Sequence, residues 1–179
     1  MAKSVDQLAV ELADREAIRE LPQRYCDCVW RGDVEGIVNL FTDDGEFTII
    51  GNTRENKTLG RANLLRSYAD GLANLTPRPY IHNHVIELKD NRQASGRCYV
   101  ELRNASDNMA WLGTGFYNDE YVKVGDQWKF KVRRFQQAIA PFGSMLPFTP
   151  LGDEGSVIGE QIDDPGNIVA PNAITIFNR

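Results

Sequence analysis

Histidine is almost missing from this chain: there are two in 179 residues, His82 and His84, with one residue between them. Cysteine is scarce as well, with three in all, an odd number that suits free thiols in a reducing compartment such as the cytoplasm. Cys26 and Cys28 are two apart on a predicted helix, about 200° around its axis, so they cannot share a metal ion. Zinc is therefore not expected, nor is any other bound metal. No apolar run approaches the roughly 18 residues needed to span a bilayer. Acidic residues interrupt every candidate apolar core near the N-terminus, so no secretory pattern is present. A glycine-rich phosphate loop and the flavin and nicotinamide fingerprints are also missing, and we expect no cofactor. Basic excess is lacking too. The net charge of −5 argues against nucleic acid or an anionic membrane as the main partner.

What is present suits a soluble globular domain. The hydrophobic fraction is 42% and the charged fraction 25%, and the length fits one domain with a core and a small internal cavity. Ser4-Val5-Asp6-Gln7 has capping-box spacing and predicts a helix start. Asp14 can re-cap, so a short leading piece and a main helix from about 14 to 31 are expected, with Pro22 as a kink. Asp33 then caps a second helix with Val34, Ile37, Val38 and Phe41 on one face. A turn at Asp43-Asp44-Gly45 precedes a strand over Glu46–Ile50, and a third helix runs from about Arg61 to Leu72.

From Pro77 the pattern changes to four strands, roughly 79–89, 95–103, 107–124 and 127–138, the last two joined by Gly125-Asp126. Helices followed by a meander make an α+β domain over residues 1–139, with helices packed on one face of a curved sheet. Residues 140–179 are rich in proline and glycine but carry Phe142, Met145, Leu146 and Phe148, and are expected to pack on the domain or on a partner subunit.

The histidines fall on the first of the four strands, in Arg78-Pro79-Tyr80-Ile81-His82-Asn83-His84-Val85-Ile86-Glu87-Leu88. Counting back by twos from Ile86 puts His84 and His82 on the apolar face, where either can serve as a base near neutral pH. Tyr25 is a further candidate, because a phenol in a dry site can polarise a carbonyl. On the last strand Trp128, Phe130, Val132, Arg134 and Gln136 share the inward face. Arg134 then becomes a cation for a carboxylate or enolate, and Lys129, Lys131, Arg133 and Phe135 form the outer row. Trp30 and Trp111 can line an apolar slot.

Asp14-Arg15-Glu16-Ala17-Ile18-Arg19-Glu20-Leu21, then Arg24-Tyr25, Gly32-Asp33 and Leu40-Phe41-Thr42-Asp43-Asp44-Gly45, resemble the opening of SnoaL-like domains. These belong to the nuclear-transport-factor-2-like superfamily, with scytalone dehydratase and polyketide cyclases as relatives. Gly60-Arg61, Asn83 with Ile86 and Leu88, Gly115 to Tyr121 and Asp126-Gln127-Trp128-Lys129-Phe130 extend the resemblance from about residue 10 to 138. It implies a cone: a strongly bent, mixed or antiparallel sheet wrapped around a long first helix, with a pocket at the wide end. It also implies an aspartate late in the first helix and a histidine on the first long strand. By position these fall on Trp30 and Pro79, neither of which transfers a proton.

The resemblance further turns Asn83 inward, which agrees with inward histidines only if a bulge lies between Asn83 and Ile86. Two functions stay open. One is a cofactor-independent dehydratase, isomerase or cyclase that uses a strand histidine. The other is a non-catalytic protein that binds a small, mostly apolar molecule. The outer face of the sheet, with Tyr99 among charged side chains, suits a homodimer or higher symmetric assembly.

Overall fold

The computed structural model describes residues 3–51 and 55–139; the expectations for the segment 140–179 lie outside the described residues. The first helix, α1, is Val5–Arg31. Ser4 and Gln7 close the capping box in both directions, and Gly32 ends the helix in the left-handed conformation that favours glycine. It is one uninterrupted helix, because Asp14 does not cap anything. Its carboxylate is buried and accepts from Trp128 Nε1 at 2.8 Å and Lys123 Nζ at 2.7 Å, which ties the helix to the far end of the sheet. Pro22 is buried inside α1.

Asp33 caps α2, Val34–Asn39, by accepting from the Gly36 amide at 2.8 Å. Phe41 does not extend that helix. It opens strand β1, Phe41–Ile50, so the expected turn at residues 43–45 is an irregularity within a strand. Strand β2 is Glu55–Leu59 and helix α3 is Arg61–Asn74, with Leu64 and Tyr68 buried. Four long strands follow: β3, Pro77–Leu88; β4, Gln93–Asn104; β5, Ala110–Val124; and β6, Gln127–Ile139. A single 3-10 turn, Ala105–Asp107, lies between β4 and β5.

The sheet order is β2-β1-β6-β5-β4-β3, antiparallel except where β1 runs parallel to β6. It curves around α1, whose Ile18, Leu21, Tyr25 and Val29 meet Cys98, Val100, Tyr117, Tyr121 and Phe130 in one core.

Two bulges decide which side chains reach that core. In β6, Phe130 faces Tyr121 and Val132 faces Glu120, which leaves Lys131 without a partner. One extra residue reverses the alternation beyond it. Arg133 and Phe135 therefore point inward and are buried, the reverse of the expected outer row. Arg134 turns to the other face, where it pairs with Glu120 at 3.0 Å and Glu46 at 3.5 Å. In β3, Ile81 pairs with Val100 and His84 with Cys98, so His82 and Asn83 together occupy the place opposite Tyr99. The bulge precedes His84 rather than following Asn83. Ile81, His84 and Ile86 turn toward the core, while His82 and Asn83 are exposed.

Candidate functional site

A cavity opens at the end of the cone where α1 finishes and β3 begins. Its walls are Tyr25 and Val29 of α1, Phe47 and Ile49 of β1, Pro77 and Pro79 of β3, with Leu75, Leu102, Tyr117 and Phe135 completing them. Its volume is about 30 Å³. Water needs roughly 10–15 Å³ on that measure, so the cavity as it stands has room for about two waters. Among the described residues the lining holds no carboxylate, imidazole, amine or guanidinium. Only two phenols are polar. Tyr68 donates to the Tyr25 hydroxyl at 3.2 Å, and the Tyr25 and Tyr117 rings meet edge to face with centroids 5.9 Å apart. Burial holds both phenols above their ordinary pKa, so they stay protonated and available as donors.

Next to these rings is a cation. The Arg133 guanidinium is fully buried, 3.6 Å from the Tyr117 ring centroid, 4.4 Å from Tyr25 and 4.5 Å from Phe130. Three aromatic faces and one carboxylate take the place of water around it. Arg133 Nη1 donates to Asp119 Oδ2 at 2.9 Å. Tyr121 donates to the same oxygen at 2.9 Å. Since that uses the only hydroxyl proton, His84 Nε2, 3.0 Å away, must be the donor to the Tyr121 oxygen. His84 Nδ1 is then a bare, buried lone pair with no partner among the described residues, as are Asp119 Oδ1 and Arg133 Nε and Nη2. Gly96 makes this chain possible, because a Cβ there would lie 2.9 Å from His84 Nε2 and 3.1 Å from the Tyr121 ring.

Burial sets the direction of titration for Asp119 and His84, and is outweighed at Arg133. It pushes Asp119 up to about 6 against the pull of Arg133, and it lowers His84 to about 4 with help from Arg133 and Arg19. Arg133 is held above its ordinary value by Asp119 and stays charged.

The expected site residues are thus dispersed. Tyr25 lines the cavity. His84 is in the polar chain and does not line it, and His82 and Asn83 are exposed on the bulge. Arg134 is on the opposite face. Trp111 is half-buried opposite Arg103 and lines no part of the cavity. Trp30 is at the rim, where its indole N–H donates to the Pro79 carbonyl at 2.9 Å. The two positions where the resemblance implied a proton-transferring pair are therefore neighbours, joined by a bond that transfers nothing.

Sequence reasoning missed Tyr117, Asp119, Tyr121, Arg133 and Phe135. The first three had a readable signal, an aspartate between two tyrosines at period two. Arg133 and Phe135 were hidden by the Lys131 bulge.

A SnoaL-like domain model matches residues 10–134 of the chain. The protein belongs to the SnoaL-like family. A scytalone dehydratase-type protein of Novosphingobium aromaticivorans is 20% identical, with 83% of this chain and 99% of that one covered at a TM-score of 0.66. A nuclear-transport-factor-2-like protein with a cystatin-like fold from the same organism is 21% identical, over 76% and 92% of the two chains, with a TM-score of 0.64. A Mycobacterium tuberculosis protein of unknown function is 25% identical over 73% and 79%, with a TM-score of 0.64. No curated protein matches by sequence. At these identities the likeness establishes the fold of this SnoaL-like domain and leaves its chemistry to its own residues. None of its described helices is long and apolar enough to cross a membrane.

Proposed function

We propose that this SnoaL-like protein binds a small, mostly apolar molecule carrying one carbonyl or hydroxyl group in the cavity between α1 and β3. The observation that carries this reading is the lining: eight apolar side chains and two protonated phenols, with no carboxylate, imidazole or amine among the described residues. Pockets of that composition take their affinity from apolar contact and fix orientation through a few polar groups, here Tyr25 and Tyr117. Native mass spectrometry of the protein purified without organic solvent tests it. A bound small molecule is expected, and it should disappear when Leu102→Trp fills the cavity.

A second reading, a cofactor-independent lyase or isomerase, is favoured by one feature, the bare Nδ1 of His84 at the end of the Asp119–Tyr121 chain. It requires a ligand to reach past Tyr117 and Arg133. Activity that vanishes in His84→Gln while ligand binding persists would favour it.

In either reading the protein works in the cytoplasm, which suits its three free, buried thiols. It assembles as a homodimer on the outer face of β3–β5. That face carries Tyr99 packed on Phe116 at 5.8 Å, Arg97 stacked over Phe116 at 4.6 Å, and an exposed Val85. Light scattering that gives only a 20.2 kDa monomer at micromolar concentration would contradict the dimer.

A further inference from the structure

The cavity is too small for the ligand class proposed above, which needs a site of roughly 300 Å³ or more. Some wall has to move. Strands β1, β4, β5 and β6 are hydrogen-bonded to neighbours on both sides, whereas among the described residues β3 is an edge strand bonded only to β4. Its first half, Pro77–Ile81, supplies two cavity walls, and the bulge at His82 and Asn83 separates it from the second half.

The free side of β3 is tied to α1 by one side-chain bond on each side of that bulge. Arg15 Nη1 donates to the Ile86 carbonyl at 3.1 Å, and Trp30 Nε1 donates to the Pro79 carbonyl at 2.9 Å. Pro77 and Pro79 have no N–H to add further ties. The Trp30 indole is held in turn by Arg78, 5.2 Å over its ring, and by Tyr80, edge-on at 5.3 Å, yet it remains 39% exposed. The bond spans the same two elements that form the cavity's sides, one residue beyond Val29 on α1 and directly at Pro79 on β3.

We propose that Trp30 is a clasp that sets the width of the cavity: when its bond to Pro79 opens, the Pro77–Ile81 half of β3 swings from α1 about the His82–Asn83 bulge and admits the ligand. The inference rests on the reading of the cavity as a ligand site. The exposed face of Trp30 gives the indole somewhere to go, and the Arg15–Ile86 bond keeps the second half of the strand in place. Trp30 is thereby a specificity-determining residue, since the clasp fixes how large an occupant enters without opening.

Trp30→Phe tests it by removing the N–H donor and keeping a ring against Arg78 and Tyr80. The probe is the neutral aromatic ketone prodan, followed by stopped-flow fluorescence, with amide hydrogen exchange run on the same proteins. Losing one hydrogen bond is expected to raise prodan association by about three- to tenfold. It should also speed exchange at Arg78 and Tyr80 to His82 by a similar factor, with Glu87 and Leu88 unchanged. Arg78→Met, which keeps the bond and removes the stacked cation, should give a smaller increase in both. Unchanged exchange at residues 78–82 in Trp30→Phe overturns the clasp, whatever the probe does. If prodan binds neither protein while exchange does accelerate, the clasp stands and the ligand reading of the cavity falls. A general rise in exchange across β4 and β5 would show that Trp30 only supports the fold, and would also overturn it.

Discussion

The two ends of the α1–sheet interface differ in what they contain and in what can reach them. Where α1 finishes, the cavity has walls that among the described residues carry two phenols but no carboxylate, imidazole, amine or guanidinium. In the interior beyond Tyr117, Arg133, Asp119, Tyr121 and His84 form a continuous polar chain that ends at the half-buried His84. The cavity and these ionisable groups are separated by a layer of two tyrosines stacked on a guanidinium.

The strongest way to break this division is within the polar chain. Asp119→Asn leaves the buried Arg133 cation without its counter-charge and is expected to cost about 3–5 kcal/mol in urea unfolding. Arg133→Met removes the cation instead. The carboxylate left behind escapes its burden by taking a proton, since burial already pushes Asp119 up to about 6. The expected cost is smaller, roughly 1–3 kcal/mol. Equal costs would mean that the ion pair is not the organising contact.

Filling the cavity should act on the other region. Leu102→Trp overpacks a wall, at roughly 1–3 kcal/mol of stability, and should abolish ligand binding without disturbing the polar chain.

Dependence on pH separates two members of the chain by sign. His84 is lowered to about 4, below its ordinary 6.5, so its contribution to stability is full above 6.5 and is lost as pH falls toward 4. Asp119 is raised, so its contribution is full below the ordinary 3.8 and is lost as pH rises through about 6. His84→Gln should flatten only the acid-side loss, by about 1–2 kcal/mol once solvent screening of this half-buried group is allowed for. Unfolding midpoints measured from pH 4 to 7 decide it.

The smallest effect is expected where the regions meet. Tyr25→Phe deprives the Tyr68 hydroxyl of its acceptor, at about 1 kcal/mol, and weakens ligand binding a few-fold.

Much of the fold was legible, because amphipathic helices and alternating strands obey fixed periods. The capping box at Ser4, the Asp33 cap and the β3–β6 meander follow directly from them. Asp14 was misread because a capping residue and a buried ion-pair partner look alike until Lys123 and Trp128 are brought to it by the sheet. The site was less legible for one physical reason. Period two assigns faces only between bulges, and a bulge is a property of two paired strands. The extra residue at Lys131 exchanged Arg134 for Arg133, and the pair His82–Asn83 left His84 alone facing inward. Trp30 and Pro79 were legible as a departure from the resembled family. Their contact with each other became visible only in three dimensions.

The separation of cavity from polar chain is tested most directly by prodan affinity in three proteins at neutral pH: the wild type, Leu102→Trp and His84→Gln. Saturable binding to the wild type, lost in Leu102→Trp and unchanged in His84→Gln, is the expected result. Binding that survives Leu102→Trp, or that disappears with His84→Gln while the protein stays folded, would contradict it.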